Sequence, residues 1–378
     1  MTTNPPKSSN TLASKLFTPV KIGAIDAANR IFMAPLTRCR ALPGSDAPHA
    51  LNAEYYAQRA GAGLIVSEAT QVQANGKGYV GTPGIYSAEQ EAGWNLVTAA
   101  VHQRGGKIVA QLWHVGAISH PDLQPGGALP VSATTGFHPG GTTRTQNGTV
   151  ARVAARGLTN AEVHEAIAAY RHSCELAKRA GFDGVEIHSA NGYLLEQFIR
   201  DSSNQRTDEF GGSIENRIRF TLATVDAAIA IWGRERVGIR LAPVTGANNA
   251  KQDSNPQATY GALVAALASR KIAFVHFIEG HTGGHRDLTG FDFAAARKTL
   301  TAAGVSYIAN NKYDRAMAMA AIETGAADAV AFGVAYISNP DLVDRLRRNA
   351  PLNSANTKTY YGPGEVGYTD YPKLLQEA

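Results

Sequence analysis

His188, Asn191 and Tyr193 close the segment Gly181–Tyr193 (GFDGVEIHSANGY) in the spacing His-x-x-Asn-x-Tyr. An imidazole and a carboxamide can hold a carbonyl oxygen, and a phenol beside them can deliver a proton to the neighbouring carbon. Val185 and Ile187 alternate as they do in a strand, and the turn from Gly181 to Gly184 leads into it. The three polar groups therefore fall at a strand's C-terminal end. A second reading is that His188 and Asn191 only tie down a loop, and the triplet alone leaves both open.

The elements that would position this triplet follow one repeated pattern. Short apolar runs at 31–36, 63–69, 106–113, 181–188, 237–243, 274–280, 305–310 and 328–334 predict eight buried strands. Helical patterns predict helices over 52–60, 88–104, 160–180, 214–232, 257–270, 292–303, 314–324 and 340–348. The third of these opens on Thr159-Asn160 with Glu162 nearby, an N-cap followed by an acidic first turn. Strands alternating with helices imply a parallel sheet, and eight such units imply its closure into a (β/α)8 TIM barrel. An open, doubly wound sheet is the alternative, but no glycine-rich dinucleotide fingerprint follows the first strand.

In a barrel of this kind chemistry gathers at the C-terminal ends of the strands. The polar candidates there are Thr37, Ser67, Glu68, Thr70, Gln111, Trp113, His114, His188, Asn191, Tyr193, Arg240, Asn310, Asn311 and Lys312. A long excursion after the third strand, residues 114–158, is rich in Gly, Pro, Ser and Thr and reads as a lid or substrate wall. No Ser-His-Asp arrangement occupies matching strand ends. His281 and His285 flank Gly283-Gly284, a sequence for a loop and not for a metal-binding helix, so no metal site is expected. Lys312 has polar neighbours, which gives no reason to expect the depressed pKa of a Schiff-base lysine. What remains is a set of donors and amides, Thr37, Gln111, His188, Asn191 and Arg240, suited to a flat heteroaromatic cofactor with several carbonyls and ring nitrogens. Gln111 can both donate and accept along a pyrimidine edge. Arg240 would put a fixed positive charge beside a reduced ring; its alternative role is a salt bridge within the barrel.

Composition bounds the class. With 378 residues, 44% hydrophobic and 18% charged, the chain can bury a large core. The net charge of +5 is spread along the sequence with no basic run interleaved with aromatics, which favours a phosphorylated small molecule over nucleic acid. Cys39 and Cys174 cannot form a disulfide framework or an iron–sulfur site. Cys174 reads as filler in a helix, whereas Cys39 lies close to a strand end. Residues 1–15 read as a disordered polar lead and 16–378 as one barrel domain; no apolar run approaches membrane-spanning length, so a cytoplasmic protein with no membrane partner is expected.

Longer motifs carry a resemblance. Leu16–Gly23 (LFTPVKIG), Asn29–Arg38 (NRIFMAPLTR), Glu54–Ala60 (EYYAQRA), Gly63–Thr70 (GLIVSEAT) and Gln111–His114 (QLWH) come first. His188–Phe198 (HSANGYLLEQF), Ser203–Gly212 (SNQRTDEFGG), Glu215–Arg217 (ENR), Asn339–Leu342 (NPDL) and Gly367–Pro372 (GYTDYP) follow in the same order. From residue 16 onward the chain resembles the Old Yellow Enzyme family of FMN-dependent ene-reductases, and especially its bacterial branch of pentaerythritol tetranitrate and N-ethylmaleimide reductases.

The resemblance implies FMN as cofactor and NADPH or NADH as reductant, in ping-pong order. It implies that Ala34, Pro35, Leu36, Thr37 and Ala69 line the flavin ring, with Thr37 at the O4 edge, Gln111 on the pyrimidine and Arg240 on the N1/O2 side. His188 and Asn191 would hold the substrate oxygen, Tyr193 would protonate the α-carbon while hydride from flavin N5 reaches the β-carbon, and Trp113 and Tyr361 would wall the pocket. Substrates would be electron-poor alkenes: α,β-unsaturated carbonyls, nitroalkenes, maleimides or, beyond alkenes, nitrate esters. The protein would be a monomer or weak homo-oligomer. Relatives with added nucleotide domains and an iron–sulfur cluster are not expected to match.

Departures fall at the phosphate end. The family's Phe-Gly-Arg after the eighth strand reads Phe332-Gly333-Val334, and its Asn-Gly-Gly-Tyr reads Asn310-Asn311-Lys312-Tyr313. Lys312 is expected to supply the missing charge alongside Asn310, Asn311, Gly333 and Val334; the alternatives are a flavin-binding protein of low turnover, or a barrel lyase or isomerase using Tyr193 without redox chemistry. Ala117 replaces an arginine of close relatives and is expected at the substrate mouth or an oligomer contact.

Overall fold

Eight short strands carry the site: β1 (Ile31–Met33), β2 (Ile65–Val66), β3 (Ile108–Trp113), β4 (Gly184–Ser189), β5 (Val237–Leu241), β6 (Phe274–Ile278), β7 (Ser306–Asn310) and β8 (Ala329–Phe332). In this computed structural model, which describes residues 14–375, each strand pairs in parallel with the next. β8 then returns to β1 through Val330 and Ile31, so the sheet closes into the expected (β/α)8 barrel and the open-sheet alternative falls. Helices α1 (Ala50–Gln58), α2 (Ala88–His102), α3 (Asn160–Arg179), α4 (Ile214–Trp232), α5 (Pro256–Arg270), α6 (Phe293–Ala302), α7 (Arg315–Glu323) and α8 (Leu342–Arg348) follow the strands in turn. Most of the polar lead lies outside the described residues; Ser14 caps a one-turn helix at Lys15–Phe17.

Alternation along the strands sorts side chains into two layers. Val185, Ile187, Ile239, Val275 and Phe277 face outward into the helices. Phe32, Val66, Val109, Phe274, Ile308 and Ala331 face inward and fill the lower barrel. Gly238 belongs to this inner face for a steric reason. A Cβ there would lie 2.1 Å from the Phe274 ring, whose burial contributes about 2–3 kcal/mol.

The barrel floor is a hairpin that the apolar runs did not reveal, Val20–Ile22 against Ile25–Ala27. It buries Ile22, Ile25 and Ala27 against the inner layer. The excursion after β3 also has structure: Val131–Ser132 pairs with Arg156–Gly157, and Thr142–Thr145 forms an antiparallel hairpin with Gly148–Ala151. Thr159 caps α3 as expected, and the cap is reciprocal, since Glu162 accepts from the Thr159 N–H while Thr159 Oγ1 accepts from that of Glu162.

Three arginines bind the end of the chain to its beginning. Arg38, fully buried, donates to the carbonyls of Tyr360 and Gly367 and to the Tyr55 hydroxyl. Arg40 donates to the carbonyls of Thr359, Tyr360, Gly364 and Val366. Arg59 reaches Tyr336 and Ile337, and the Tyr55 and Tyr368 rings stack 4.0 Å apart beside these guanidiniums. Among the described residues no helix is long and apolar enough to cross a membrane.

Candidate active site at the upper end of the barrel

The tight loop after β4 is built by the residues that follow it. Asn191 takes a left-handed conformation at φ 61°. Glu196, buried, accepts from the Gly192 N–H at 2.5 Å, from Arg200 at 2.9 Å and from the Tyr260 hydroxyl at 2.7 Å. Gln197 donates to the Gly192 carbonyl at 2.7 Å and accepts from the Ala117 N–H. The loop is thus locked from below, and Ala117 is fully buried behind it, which removes it from any oligomer contact and from the open mouth.

This lock aims three groups. His188 is buried, its Nδ1 has no partner, and it stacks on Trp113 at 6.1 Å. Burial, then Arg240 and His276, push its pKa well below the ordinary imidazole range, so it stands neutral. The Asn191 carbonyl oxygen Oδ1 accepts from Thr282 at 2.6 Å, which leaves the amide nitrogen as its free donor. The Tyr193 hydroxyl lies 3.2 Å from that of Tyr79, and its ring meets Trp113 edge-on at 4.8 Å. Burial, and then Tyr79, raise the Tyr193 pKa well above that of a free phenol.

Two cavities meet here. The larger, about 440 Å³, is lined by Ala34, Pro35, Leu36 and Thr37 on one side, by Arg240, Asn310, Asn311 and Lys312 on another, and is completed by Gly333, Val334, Asn191 and Tyr361. Its size suits a cofactor or drug-sized ligand. Gln111 and Ala69, expected on the ring, are set back from this lining: Gln111 lies within the barrel, and Ala69 packs with Trp113 and Tyr193. The smaller cavity, about 320 Å³, lies between Thr37, Cys39, Tyr79, Tyr193 and Tyr361 and the hairpin residues Thr142, Thr143, Arg144 and Thr149. The excursion therefore forms a wall, docked by the Val80 N–H on the Arg144 carbonyl. Burial pushes the Cys39 thiol up to about 12, so it stands protonated at this wall. Trp113 backs His188 and Tyr193 from behind without lining either cavity's open face.

The remaining strand-end candidates serve structure. Ser67 accepts from the Gln111 N–H and Thr70 donates to the Glu68 carbonyl. His114, brought down to about 3 by burial, accepts from the Gly116 N–H. Arg240 makes no salt bridge among the described residues: it donates to Asn310 Oδ1 at 2.7 Å, and its Nε is buried with no partner. Burial lowers its pKa to about 10, against the attraction of Glu186, so it stays charged. Sequence reasoning missed Tyr79, Glu186 and His276. Glu186 and His276 share the inward parity of His188 and Arg240, a signal that was available; Tyr79 comes from a loop with no periodic pattern. His281 and His285 occupy the loop after β6, and among the described residues no group of three or more metal-ligating side chains comes together.

The donor set fits a flavin mononucleotide. Arg240 lines the larger cavity and its Nε is buried without a partner, a condition a bound polar ring would satisfy; His188 Nδ1 is likewise buried without a partner. At the far end Lys312 makes no ion pair among the described residues, and a Cβ on Gly333 would meet only Leu36 at 3.5 Å. Asn311 and Lys312 hold left-handed backbone, at φ 114° and 50°, where glycines would be at ease. Asn311 is secured there by donating to the Glu279 and His281 carbonyls.

Fold and donor set together define a barrel oxidoreductase of the flavin-dependent class. The chain belongs to the NADH:flavin oxidoreductase / NADH oxidase family, whose model matches residues 15–353, and within it to the FMN-dependent Old Yellow Enzyme proteins. It is 42% identical to flavin oxidoreductase hxnT of Emericella nidulans over 94% of this chain and 97% of that protein. It is 40% identical to 12-oxophytodienoate reductase 1 of Oryza sativa subsp. japonica, over 98% and 96%. The solved structure of morphinone reductase in complex with tetrahydroNAD superposes with a TM-score of 0.88 at 42% identity, covering 95% of this chain and 98% of that one.

Proposed function

We propose that residues 16–378 act as one FMN-binding barrel that reduces the activated C=C bond of α,β-unsaturated carbonyls, using a reduced nicotinamide as electron source. The observation that carries this reading is that β4 and its loop bring a neutral, partnerless His188 and Tyr193 together, rings 5.0 Å apart, with Asn191 in the lining of the larger cavity and Tyr193 in that of the smaller. When bound, FMN supplies hydride to the β-carbon of the alkene. His188 and Asn191 hold the substrate oxygen and stabilise the negative charge that develops on it, and Tyr193 gives its proton to the α-carbon. The raised Tyr193 pKa keeps that proton in place until a strongly basic carbon is generated.

Thr37 and the Ala34–Leu36 segment would face the ring, with Arg240 at its pyrimidine side and Asn310 holding Arg240 in turn. Lys312, aided by backbone N–H groups near Asn311, Gly333 and Val334, would take the phosphate. Tyr361, which lines both cavities, would stand between cofactor and alkene. Nitroalkenes, maleimides and nitrate esters present oxygens of the same kind to His188 and Asn191, and extend the substrate class.

The test is direct. The purified protein should be yellow, bleach on anaerobic addition of NADPH or NADH, and recover its colour on addition of 2-cyclohexenone. A colourless protein that takes up no FMN refutes the reading. Flavin that is bleached but restored by no activated alkene leaves a flavin-binding protein of low turnover.

A further inference from the structure

Glu186 lies inside the barrel on β4, fully buried, one inward position below His188. Each of its oxygens has a neighbour: Oε1 accepts from Gln111 Nε2 at 2.7 Å, and Oε2 lies 2.8 Å from His276 Nδ1. Gln111 is the donor in the first contact, and with Oε2 accepting in the second both partners turn a donor toward Glu186. For His276 this places the proton on Nδ1. Burial lowers its pKa, so the ring is neutral and its buried Nε2 has no partner. For Gln111 it removes the freedom of a carboxamide to rotate end for end. Nε2 is committed to Glu186, and Oε1, to which no described residue donates, is left as the group offered to a ligand.

A parallel constraint acts next door. Asn310 donates Nδ2 to the Ala331 carbonyl at 2.7 Å, so its Oδ1 must be the atom that receives Arg240. Gln111, set back from the cavity lining, thus keeps a free acceptor, and Arg240, in the lining, keeps free donors. That is the complement of an imide, in which an N–H stands between two carbonyls.

We propose that Glu186, held by His276, is a positioning residue that keys the Gln111 carboxamide so that its oxygen accepts the imide N3–H of the flavin. The proposal rests on the cavity holding a flavin. Keying spares the complex the cost of ordering the amide on binding, and prevents the wrong end of Gln111 from meeting N3–H, donor against donor.

The experiment is NMR of the protein reconstituted with FMN labelled with 15N at N3. In the wild type the N3–H resonance is expected downfield of free FMN and protected from solvent exchange. Glu186→Met, which frees Gln111 to rotate, should move the resonance back toward its free value and weaken FMN binding about tenfold. Glu186→Gln should retain the wild-type resonance, because a carboxamide at 186 can still accept from Gln111 Nε2 while His276 moves its proton to Nε2. A resonance in Glu186→Met equal to that of the wild type overturns the proposal. Should Glu186→Met fail to fold, Gln111→Met supplies the same test: an unchanged N3–H resonance there shows that Gln111 is not its acceptor and equally overturns it. A wild-type protein that takes up no FMN at all refutes the flavin reading, whereas bound FMN with these unaltered resonances refutes only the keying.

Discussion

The hydroxyls of Tyr193 and Tyr79 lie 3.2 Å apart across the wall of the smaller cavity, although 114 residues separate them in the chain. Tyr79 fixes where the Tyr193 hydroxyl points. Tyr193→Phe removes the proton donor and should slow reoxidation of the reduced protein by 2-cyclohexenone about 10²-fold or more, measured by stopped flow. Its reduction by NADPH should change little. Tyr79→Phe leaves the donor but loosens it, and a slowing of about 2–10-fold in the same step is expected. Equal losses in both half-reactions for Tyr193→Phe would contradict the assignment.

His188 is neutral well below its ordinary titration range because burial, Arg240 and His276 all oppose its charge. The rate of alkene reduction should therefore show no limb from an imidazole between about pH 6 and 8. A limb near pH 6.5 that vanishes in His188→Asn would show that the imidazole is charged during turnover.

Glu68 is buried beside Arg38, Arg40 and Tyr56, and burial raises its pKa from 4.5 to about 7 despite those partners. A carboxyl whose pKa is higher folded than unfolded binds its proton more tightly in the native state. Its contribution to stability is thus fully present below pH 4.5 and is lost as pH rises toward 7. The loss is on the order of 3 kcal/mol. Thermal or urea unfolding followed from pH 5 to 7.5 should show a downward slope in the wild type that Glu68→Gln lacks. Parallel curves would refute it.

Lys312 combines two effects that mutation can separate. Its left-handed backbone costs about 1–2 kcal/mol for a residue with a side chain, so Lys312→Gly should be more stable than Lys312→Ala by roughly 1 kcal/mol. Both variants should lose affinity for FMN by about tenfold, the effect of one charge-assisted contact to phosphate, while riboflavin affinity stays put. Unchanged FMN affinity in both would show that the lysine is merely solvated.

How far the sequence could be read depended on whether a residue acts within its own element. The parity of Val185 and Ile187 predicts β4, and Thr159 with Glu162 predicts the start of α3, because both signals are local. The same parity carries Glu186 and His276 to the inner face, but their meeting at 2.8 Å depends on barrel closure. Asn147-Gly148 between threonine-rich runs is a hairpin signal, yet nothing local says that the hairpin docks on Val80 and walls a cavity. Tyr79 was illegible for that reason: its value comes from a partner on a different loop. The left-handed backbone at Asn311 and Lys312 was hidden too, since glycine's absence there argues against the conformation the chain adopts.

Arg38 and Arg40, at the top of β1, are satisfied by carbonyls of residues 359–367, and Tyr360 and Tyr361 ride on the segment they hold. The opening turn of the site is therefore finished by a segment far from it in sequence, Tyr360 lying 322 positions from Arg38. Without the carbonyls of residues 359–367 two guanidiniums would sit buried and unsatisfied, and the larger cavity would lose Tyr360 and Tyr361 from its flank. The arginines thus make the docking of this segment and the completion of the pocket a single event.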